Sequence, residues 1–438
     1  VKQHPFWLDT VAPESLVAQS EGTAVSAERG PHSHSLPATV DVAVVGAGYT
    51  GLAAARHLGQ IGASVVVLER GRVGAGASSR NGGQVLTGLK LDPDTLVARF
   101  GESKARDLFA IAMESIASLE RLIAAEQIDC EYEQAGHVQA ASKPSHFDAF
   151  RREQDLLARV FGHRVRIVDR ANQREELGTD RYFGLLVDER SGSLNPARYV
   201  HGLARAAARA GAMIHEHTRV VRMTRSGRRW TVVTDRGDID AGDVLVATNG
   251  YTDASAPFLQ RRFIPIGSYI VATVPLGREV AASLIPKRRM VFDTKHFLYY
   301  FRLSADDRLL FGGRAEFSQP TDASVRRAAG VLREGLVGVF PELRGVGIEY
   351  AWSGNVAFTR DQMPRAGRID GLYYAGGYCG HGVAMATYLG TTIARRIAGE
   401  PLEHPLFDDR FAPIPLYTGK PWFLPLAGAY YRFRDLVE

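Results

Sequence analysis

The clearest pattern in the chain lies between residues 40 and 69. Val40-Asp41-Val42-Ala43-Val44-Val45 is a short β-branched run, and Gly46-Ala47-Gly48-Tyr49-Thr50-Gly51 follows it as a glycine-rich turn. Leu52, Ala55, Leu58 and Ile61 then recur at helical spacing before a second run, Val65-Val66-Val67-Leu68-Glu69. Apolar runs bounded by turn residues read as buried parallel strands, and the segment between them reads as the crossover helix of a βαβ unit. Further on, Leu108, Ile111, Ile116, Leu119, Leu122 and Ile123 make an apolar stripe that predicts a helix over 92–127 with that stripe in the core. Asn195-Pro196 precedes another helix, alanine-rich as far as Ala210. Strands are predicted near 219–224, 230–234 and 243–248, and again at 270–274, 298–302 and 309–312. A helix over 322–339, a strand at 372–375 and a closing helix over 383–397 complete the reading.

Helix and strand signals thus alternate, strands then cluster, and a strand–turn–helix closes the chain. This order predicts an α/β protein: a Rossmann-like nucleotide-binding domain, discontinuous over 40–90, 195–255 and 355–400. A mostly antiparallel-sheet substrate domain, 91–194 and 256–354, interrupts it. Residues 1–39 are rich in Ser, Pro, His and Glu and read as an arm that lies on the surface or is partly ordered, and 401–438 as a C-terminal tail. With 438 residues, 45% of them hydrophobic, the chain can bury the cores of two or so domains.

Composition narrows the function classes. The net charge of +5 is mild and acids are interleaved nearly everywhere, unlike the basic stripe of a nucleic-acid binder. Arg219, Arg222, Arg225, Arg228 and Arg229 cluster locally and read as a solvated edge. Two cysteines, Cys130 and Cys379, supply neither a disulfide framework nor metal-ligand spacing, so no metal is expected. No run approaches the roughly 18 apolar residues of a spanning helix. The first residues lack the apolar region of a signal peptide. A soluble cytoplasmic protein with no integral membrane segment and no nucleic-acid partner is the expectation.

The chemistry begins at the glycines. Gly46 permits the tight turn after the first strand, Gly48 lets the backbone approach a pyrophosphate, and Gly51 lets the helix pack on the strand. The helix start at Tyr49 and Thr50 presents unpaired N–H groups and positive dipole to phosphate. Glu69, ending the second strand, stands where an acid bonds ribose hydroxyls. With the flanking strand and helix, these features predict dinucleotide binding. The next segment points to a flavin. Gly74-Ala75-Gly76-Ala77-Ser78-Ser79-Arg80-Asn81-Gly82-Gly83-Gln84 is long for an α/β connection. It offers N–H donors and close backbone approach to a ribityl chain and ring. Ala247-Thr248-Asn249-Gly250 ends a strand and can close over the nucleotide. In Tyr374-Ala375-Gly376-Gly377-Tyr378-Cys379-Gly380-His381-Gly382-Val383, glycines meet a flat ligand and a helix N-terminus faces the charge of a reduced ring.

These pieces resemble the D-amino-acid oxidase-related, FAD-dependent oxidoreductases, the group that includes sarcosine and glycine oxidases. Within that group the resemblance is to the members that oxidise gamma-glutamylputrescine. It is carried by Val44 to Leu52, Ser79 to Gln84, Arg308-Leu309-Leu310-Phe311-Gly312-Gly313, Tyr350-Ala351-Trp352-Ser353-Gly354-Asn355 and Cys379 to Val383, and it runs from about Asp41 to Asp435. It implies FAD in a glutathione-reductase-type fold. Gly46, Gly48, Gly51, Glu69 and Arg70 would hold the ADP part. Ser78, Ser79, Arg80, Asn81, Gly83 and Gln84 would run beside the pyrophosphate, ribityl chain and ring. Val220 would bond adenine through its backbone, and Gly354, Asp361, Pro364, Gly367, Gly377, Gly380, His381 and Gly382 would complete the ring site.

The implied reaction is hydride transfer from an amine-bearing carbon to the flavin, giving an imine and then an aldehyde. O2 or another electron acceptor would reoxidise the cofactor. The amine must be neutral, and Tyr299, Tyr300, Phe301, Trp352 and Tyr378 are the candidates for an aromatic cavity that disfavours the ammonium. Tyr300, Tyr378, His381 and Glu316 are the catalytic candidates, Glu316 as an amine-orienting acid. Sarcosine oxidases carry a lysine for the substrate carboxylate shortly after the turn at Gly380, where this chain has Ala384. They carry another near the flavin that helps oxygen react, where this chain reads Leu309-Leu310-Phe311-Gly312, a departure that speaks against rapid use of O2. The expected substrate is therefore an extended amine resembling gamma-glutamylputrescine, not a small α-amino acid. Cys379 leaves a thioether to the flavin open. The rival readings are a flavin subunit passing electrons to a partner protein or quinone through the apolar stretch Pro421-Trp422-Phe423-Leu424-Pro425-Leu426-Ala427, and an RNA-modifying flavoprotein.

Overall fold

The computed structural model describes residues 1–11, 35–313 and 320–437. The βαβ opening is present as a strand, Thr39–Val45, a helix, Tyr49–Gln60, and a second strand, Val65–Leu68. The first strand is the centre of a sheet. It pairs in parallel with Val65–Leu68 on one side and with Gly237–Val246 on the other. Met213–His215 extends the sheet beyond Val65–Leu68, and Leu372–Gly376 joins Gly237–Val246 in parallel. Arg365–Ile369 closes that edge antiparallel, and Arg229–Thr234 and Val220–Ser226 form an antiparallel flap on Gly237–Val246. The buried faces of Val44, Val65 and Val67 pack under Tyr49–Gln60, Pro196–Arg209 and Gly382–Ile397. Contact between the first and last of these helices is backbone-close. A Cβ on Gly390 would lie 2.3 Å from the Thr50 carbonyl oxygen, so only glycine fits there.

The second sheet has eight strands in the order Ile348–Phe358, Ile264–Thr273, Leu309–Gly313, Tyr299–Leu303, Met290–Asp293, His137–Ala140, Gly184–Asp188, Arg166–Asp169. Every pairing is antiparallel except that of Met290–Asp293 with His137–Ala140. One face packs on the helix Asp322–Val339 through Phe301, Phe311, Leu332 and Leu336. That helix starts as a capping box, with Thr321 accepting from the Ser324 N–H and the Ser324 hydroxyl from the Thr321 N–H. Side chains alternate across a strand, so the neighbours of these core residues point the other way, towards the first sheet.

One expectation changes. The single helix over 92–127 is Pro93–Ala125 and is interrupted at Gly101, whose φ of 77° breaks the helical path. Within the N-terminal arm, Phe6–Thr10 forms a 3₁₀ turn that buries Phe6 and Trp7. The tail packs partly on the core, with Leu406, Tyr417 and Leu424 buried. Among the described residues no helix is long and apolar enough to cross a membrane.

Candidate active site

Two cavities meet between the sheets. The first, about 280 Å³, opens at the carboxyl ends of the parallel strands, where α/β sheets receive ligands. Gly46, Gly48, Tyr49, Thr50, Glu69, Arg70, Ser78, Asn81, Val220, Thr248, Gly380, Gly382 and Val383 line it, so most of the expected nucleotide residues converge. The local reasons are visible. Gly46 sits at φ 106°, which side-chain-bearing residues rarely adopt. A Cβ on Gly51 would lie 2.0 Å from the Gly46 carbonyl oxygen, so this glycine sets the helix against the turn. Glu69 accepts from the Ala47 N–H and the Gly71 N–H, both at 2.9 Å. These two bonds tie the ends of both strands together and aim the carboxylate along the cavity wall.

The second cavity, about 210 Å³, lies towards the antiparallel sheet. It shares Ala77, Asn81, Asn355, Val356, Cys379, Gly380 and Val383 with the first. Arg80, Gly82, Gln84, Lys90, Ser268, Phe292, Leu298, Tyr300, Gly354, Phe358 and His381 contribute its other walls. The Tyr300 hydroxyl is 2.9 Å from the Ser268 hydroxyl. Tyr300 pairs across the strands with Phe292 on one side and Gly312 on the other. A Cβ on Gly312 would come within 2.3 Å of Tyr300 Cζ, so the ring occupies the space that glycine leaves. His381 caps the start of the helix Gly382–Ile397, and its Nδ1 is buried without a hydrogen-bond partner. Burial, reinforced by the charge of Lys90, pulls its pKa down to about 3, so the imidazole is neutral. The Gln84 Nε2 is likewise buried without a partner. The Arg80 guanidinium donates to the Ala75 and Ser353 carbonyls at 2.8 and 3.1 Å.

Several expected site residues lie elsewhere. Ser79 is fully buried and donates its hydroxyl to the Gly74 carbonyl at 2.7 Å, and Gly83 packs against the Leu194 carbonyl. Both shape the loop from behind its lining. Asp361 pairs with Arg365, and Pro364 and Gly367 also line neither cavity. Gly377 donates its N–H to Asn249 Oδ1 at 2.9 Å, bracing the loop after Gly237–Val246. Tyr378 lies on the nucleotide side, its hydroxyl 2.6 Å from that of Thr50. The aromatic cavity needs the same correction. Tyr299 and Phe301 point into the far core by strand alternation, and Trp352 donates its indole N–H to the Arg80 carbonyl at 2.9 Å. Of the five aromatic candidates only Tyr300 lines the second cavity; Phe292 and Phe358 are the phenyl rings among its described lining residues. Glu316 lies outside the described residues. Ala384 is buried in the helix Gly382–Ile397 and faces neither cavity, whereas Lys90 enters from the segment after the strand Gln84–Val85. The absence of lysine from 309–312 therefore does not make the ring end of the site free of lysine.

The glycine cradle, the helix N-terminus at Tyr49, the Glu69 carboxylate and the unpartnered polar atoms of His381 and Gln84 fit a dinucleotide whose flat ring reaches the junction of the cavities. Among the described residues no group of three or more His, Cys, Asp or Glu is placed to hold a metal.

Comparison with known proteins agrees with this geometry. Residues 41–396 match the DAO family model, FAD dependent oxidoreductase. The chain is 35% identical over 405 residues to gamma-glutamylputrescine oxidoreductase of Escherichia coli (strain K12), covering 91% of this chain and 93% of that protein. It is 34% identical to a probable oxidoreductase, OrdL, of Haemophilus influenzae, covering 90% and 92%. Among solved structures, glycine oxidase from Geobacillus kaustophilus superposes with a TM-score of 0.70 at 21% identity, covering 86% of this chain and 99% of that one. L-proline dehydrogenase from P. horikoshii gives 0.69 at 21%, covering 85% and 96%.

Proposed function

The chain belongs to the DAO family of FAD-dependent oxidoreductases and acts on amines or amino acids; from that premise we propose that its substrate is an extended amine of the gamma-glutamylputrescine kind and that O2 is its electron acceptor. The observation that carries the reading is the second cavity: an aromatic and apolar chamber joined to the nucleotide cavity.

Bound FAD supplies a two-electron acceptor at its ring. The protein supplies the form and position of the amine. Free alkylamines are ammonium ions at neutral pH, with a reference value near 10.4 for a lysine-type amine. Phe292, Phe358, Leu298 and Ile266 desolvate the bound amine, and Lys90 opposes a second positive charge, so both favour the neutral form. The Ser268–Tyr300 hydroxyl pair can accept from, or donate to, the amine nitrogen. The neutral His381 Nδ1 offers one further hydrogen bond at the ring end. The same Lys90 charge suits a substrate with a carboxylate remote from its reacting amine. The Escherichia coli relative, by its name, acts on gamma-glutamylputrescine.

Rates of flavin bleaching without oxygen, for gamma-glutamylputrescine, putrescine, sarcosine and D-alanine, test the assignment. Gamma-glutamylputrescine should bleach the flavin more efficiently than sarcosine or D-alanine; equal efficiency overturns the substrate reading. Lys90→Met should raise KM for gamma-glutamylputrescine more than for putrescine. Hydrogen peroxide formed in step with amine consumption under air tests O2 as acceptor. A second reading, electron delivery to a partner or quinone, is favoured by the exposed Trp422, Leu426, Tyr430 and Phe433 along the C-terminal helix Leu424–Val437 and its approach. A peroxide yield far below the amine consumed would select it.

A further inference from the structure

Three successive carbonyl oxygens of the Arg80-Asn81-Gly82 loop are each held by a buried side chain from a different part of the chain. Trp352 Nε1 donates to the Arg80 oxygen at 2.9 Å, Trp7 Nε1 to the Asn81 oxygen at 2.9 Å, and Arg302 Nε to the Gly82 oxygen at 2.7 Å. The holders also lock one another. The Arg302 guanidinium lies over the Trp7 ring, 4.9 Å from its centroid, and further donates to the Leu194 carbonyl at 2.6 Å. Trp7 and Trp352 are both 1% exposed and share one apolar cluster with Phe6, Ile270 and Tyr350. The loop so held is the one that lines the junction: Asn81 faces both cavities, and Arg80 and Gly82 face the second. Gly82 lies directly against the Tyr300 ring, to which an added Cβ would come within 3.2 Å.

Trp7 belongs to a segment outside the span matched by the family, which begins at residue 41. Residues 1–11 are fastened at both ends. Lys2 bridges the edge strand at Tyr350, with its N–H donating to the Glu349 carbonyl at 2.8 Å and its own carbonyl accepting from the Ala351 N–H at 2.9 Å. The Tyr350 hydroxyl donates to Asp9 at 2.9 Å, and Asn195 Nδ2 donates to the Thr10 hydroxyl at 2.9 Å. These anchors draw Trp7 across the seam between the two sheets.

We propose that residues 1–11 are a working part of the flavin site, with Trp7 as a positioning residue that sets the Asn81–Gly82 peptide plane against the cofactor and Tyr300. The inference rests on FAD occupying the junction, not on the identity of the amine. A planar peptide fixed at its oxygen is fixed at its N–H as well, so the indole bond determines what this loop presents to the ring. Without the indole donor the free loop can turn its carbonyl to water, and cofactor binding then has to undo that contact. The loss falls on FAD affinity, by about tenfold for one hydrogen bond to a part-buried carbonyl.

Trp7→Phe keeps a ring under Arg302 and removes the N–H together with part of the indole volume. Apoprotein is titrated with FAD, following flavin fluorescence, and the visible circular dichroism of the bound flavin is recorded. Trp7→Phe should raise the FAD Kd about tenfold and alter the flavin dichroism, with the apoprotein melting within a few degrees of wild type. Tyr350→Phe, which removes one anchor of residues 1–11 and leaves the main-chain bridge at Lys2 and the Thr10–Asn195 bond in place, should shift both readouts in the same direction but by less than Trp7→Phe. Wild-type Kd and dichroism in Trp7→Phe would overturn the proposal, and so would a Tyr350→Phe effect larger than that of Trp7→Phe. Both readouts are binding measurements, so a failed amine panel leaves the test intact, while a wild-type apoprotein that takes up no FAD would sink the cofactor premise itself.

Discussion

Glu69 offers the sharpest separation between holding the fold and holding the cofactor. Its two carboxylate oxygens accept from the Ala47 and Gly71 N–H groups, so it braces the glycine turn even before a nucleotide arrives. Replacing it by glutamine keeps the volume but turns one acceptor into an NH2 group that faces an N–H. One bond to a charged acceptor is lost, at about 1.5–3 kcal/mol, and a backbone donor is left without its partner. Part of this cost appears in the apoprotein, as a melting temperature lowered by a few degrees. The rest appears in binding, because the remaining lone pairs of Glu69 line the cavity where ribose hydroxyls are expected. Their loss should weaken FAD about tenfold to a hundredfold. The assay is FAD titration of apoprotein at a temperature where wild type and Glu69→Gln are both folded, alongside calorimetry of each apoprotein. An FAD Kd unchanged within twofold would refute the ribose role; a lower melting temperature with an unchanged Kd would reduce Glu69 to a brace of the turn.

Three other predictions follow from the site and its surroundings. Tyr300→Phe deletes the hydroxyl paired with Ser268 but keeps the ring in the space beside Gly312, so anaerobic amine oxidation should slow about tenfold with little change in melting temperature; an unchanged rate in stopped-flow would remove Tyr300 from the chemistry. Burial pushes the Cys379 thiol up to about 11, which keeps it protonated and a poor nucleophile, so acid precipitation should release all the flavin into the supernatant; colour retained in the pellet, and lost in Cys379→Ala, would show a thioether instead. Burial alone would raise the Asp188 carboxyl, but the His163 hydrogen bond at 2.7 Å and the nearby His137 and His163 charges outweigh it and hold the group at about 2. That depressed value contributes about 2 kcal/mol above pH 4 and is lost as pH falls from about 4 to 2, so His163→Asn should flatten the acid limb of a melting-temperature profile; parallel limbs would contradict the assignment.

The nucleotide half of the site was legible because its geometry is local. Gly46, Gly48 and Gly51 do their work within six residues, and the reasons for them, a positive φ, a close approach and a helix seated on its own turn, belong to the same stretch of backbone. Glu69 was legible because a strand of known direction fixes where its end lies. The antiparallel half was legible only as a cluster of strands. The short strands His137–Ala140 and Arg166–Asp169 have apolar patterns too brief to separate from loop, and their places are decided by partners far away in sequence; the helix Pro144–Phe161 went unread although Phe147, Phe150, Leu157 and Val160 recur at helical spacing between Pro144 and Gly162. Residues 1–11 were unreadable for a related reason. Phe6 and Trp7 in a polar arm look incidental until the seam they cover exists.

The amine half failed in an instructive way. Tyr299 and Tyr300 are adjacent and chemically alike, and which of them enters the cavity depends on strand register. The glycines of the facing strand do not separate them, because Gly312 pairs with Tyr300 and the next residue, Gly313, pairs with Tyr299. The lysines teach a separate lesson. Ala384 stands where carboxylate-binding relatives were expected to carry a lysine, and 309–312 holds none, yet the cavity receives Lys90 from a segment that neither comparison of positions inspected. Charge in a cavity is a sum over every element that reaches it. Carrying over one position at a time therefore tests whether a particular residue is retained, not whether its electrostatic role is filled. By this reasoning the preference against small α-amino acids cannot rest on Ala384. It rests on where a carboxylate would sit relative to Lys90 when the amine lies against Tyr300, which comparing gamma-glutamylputrescine, putrescine and sarcosine in wild type and Lys90→Met measures.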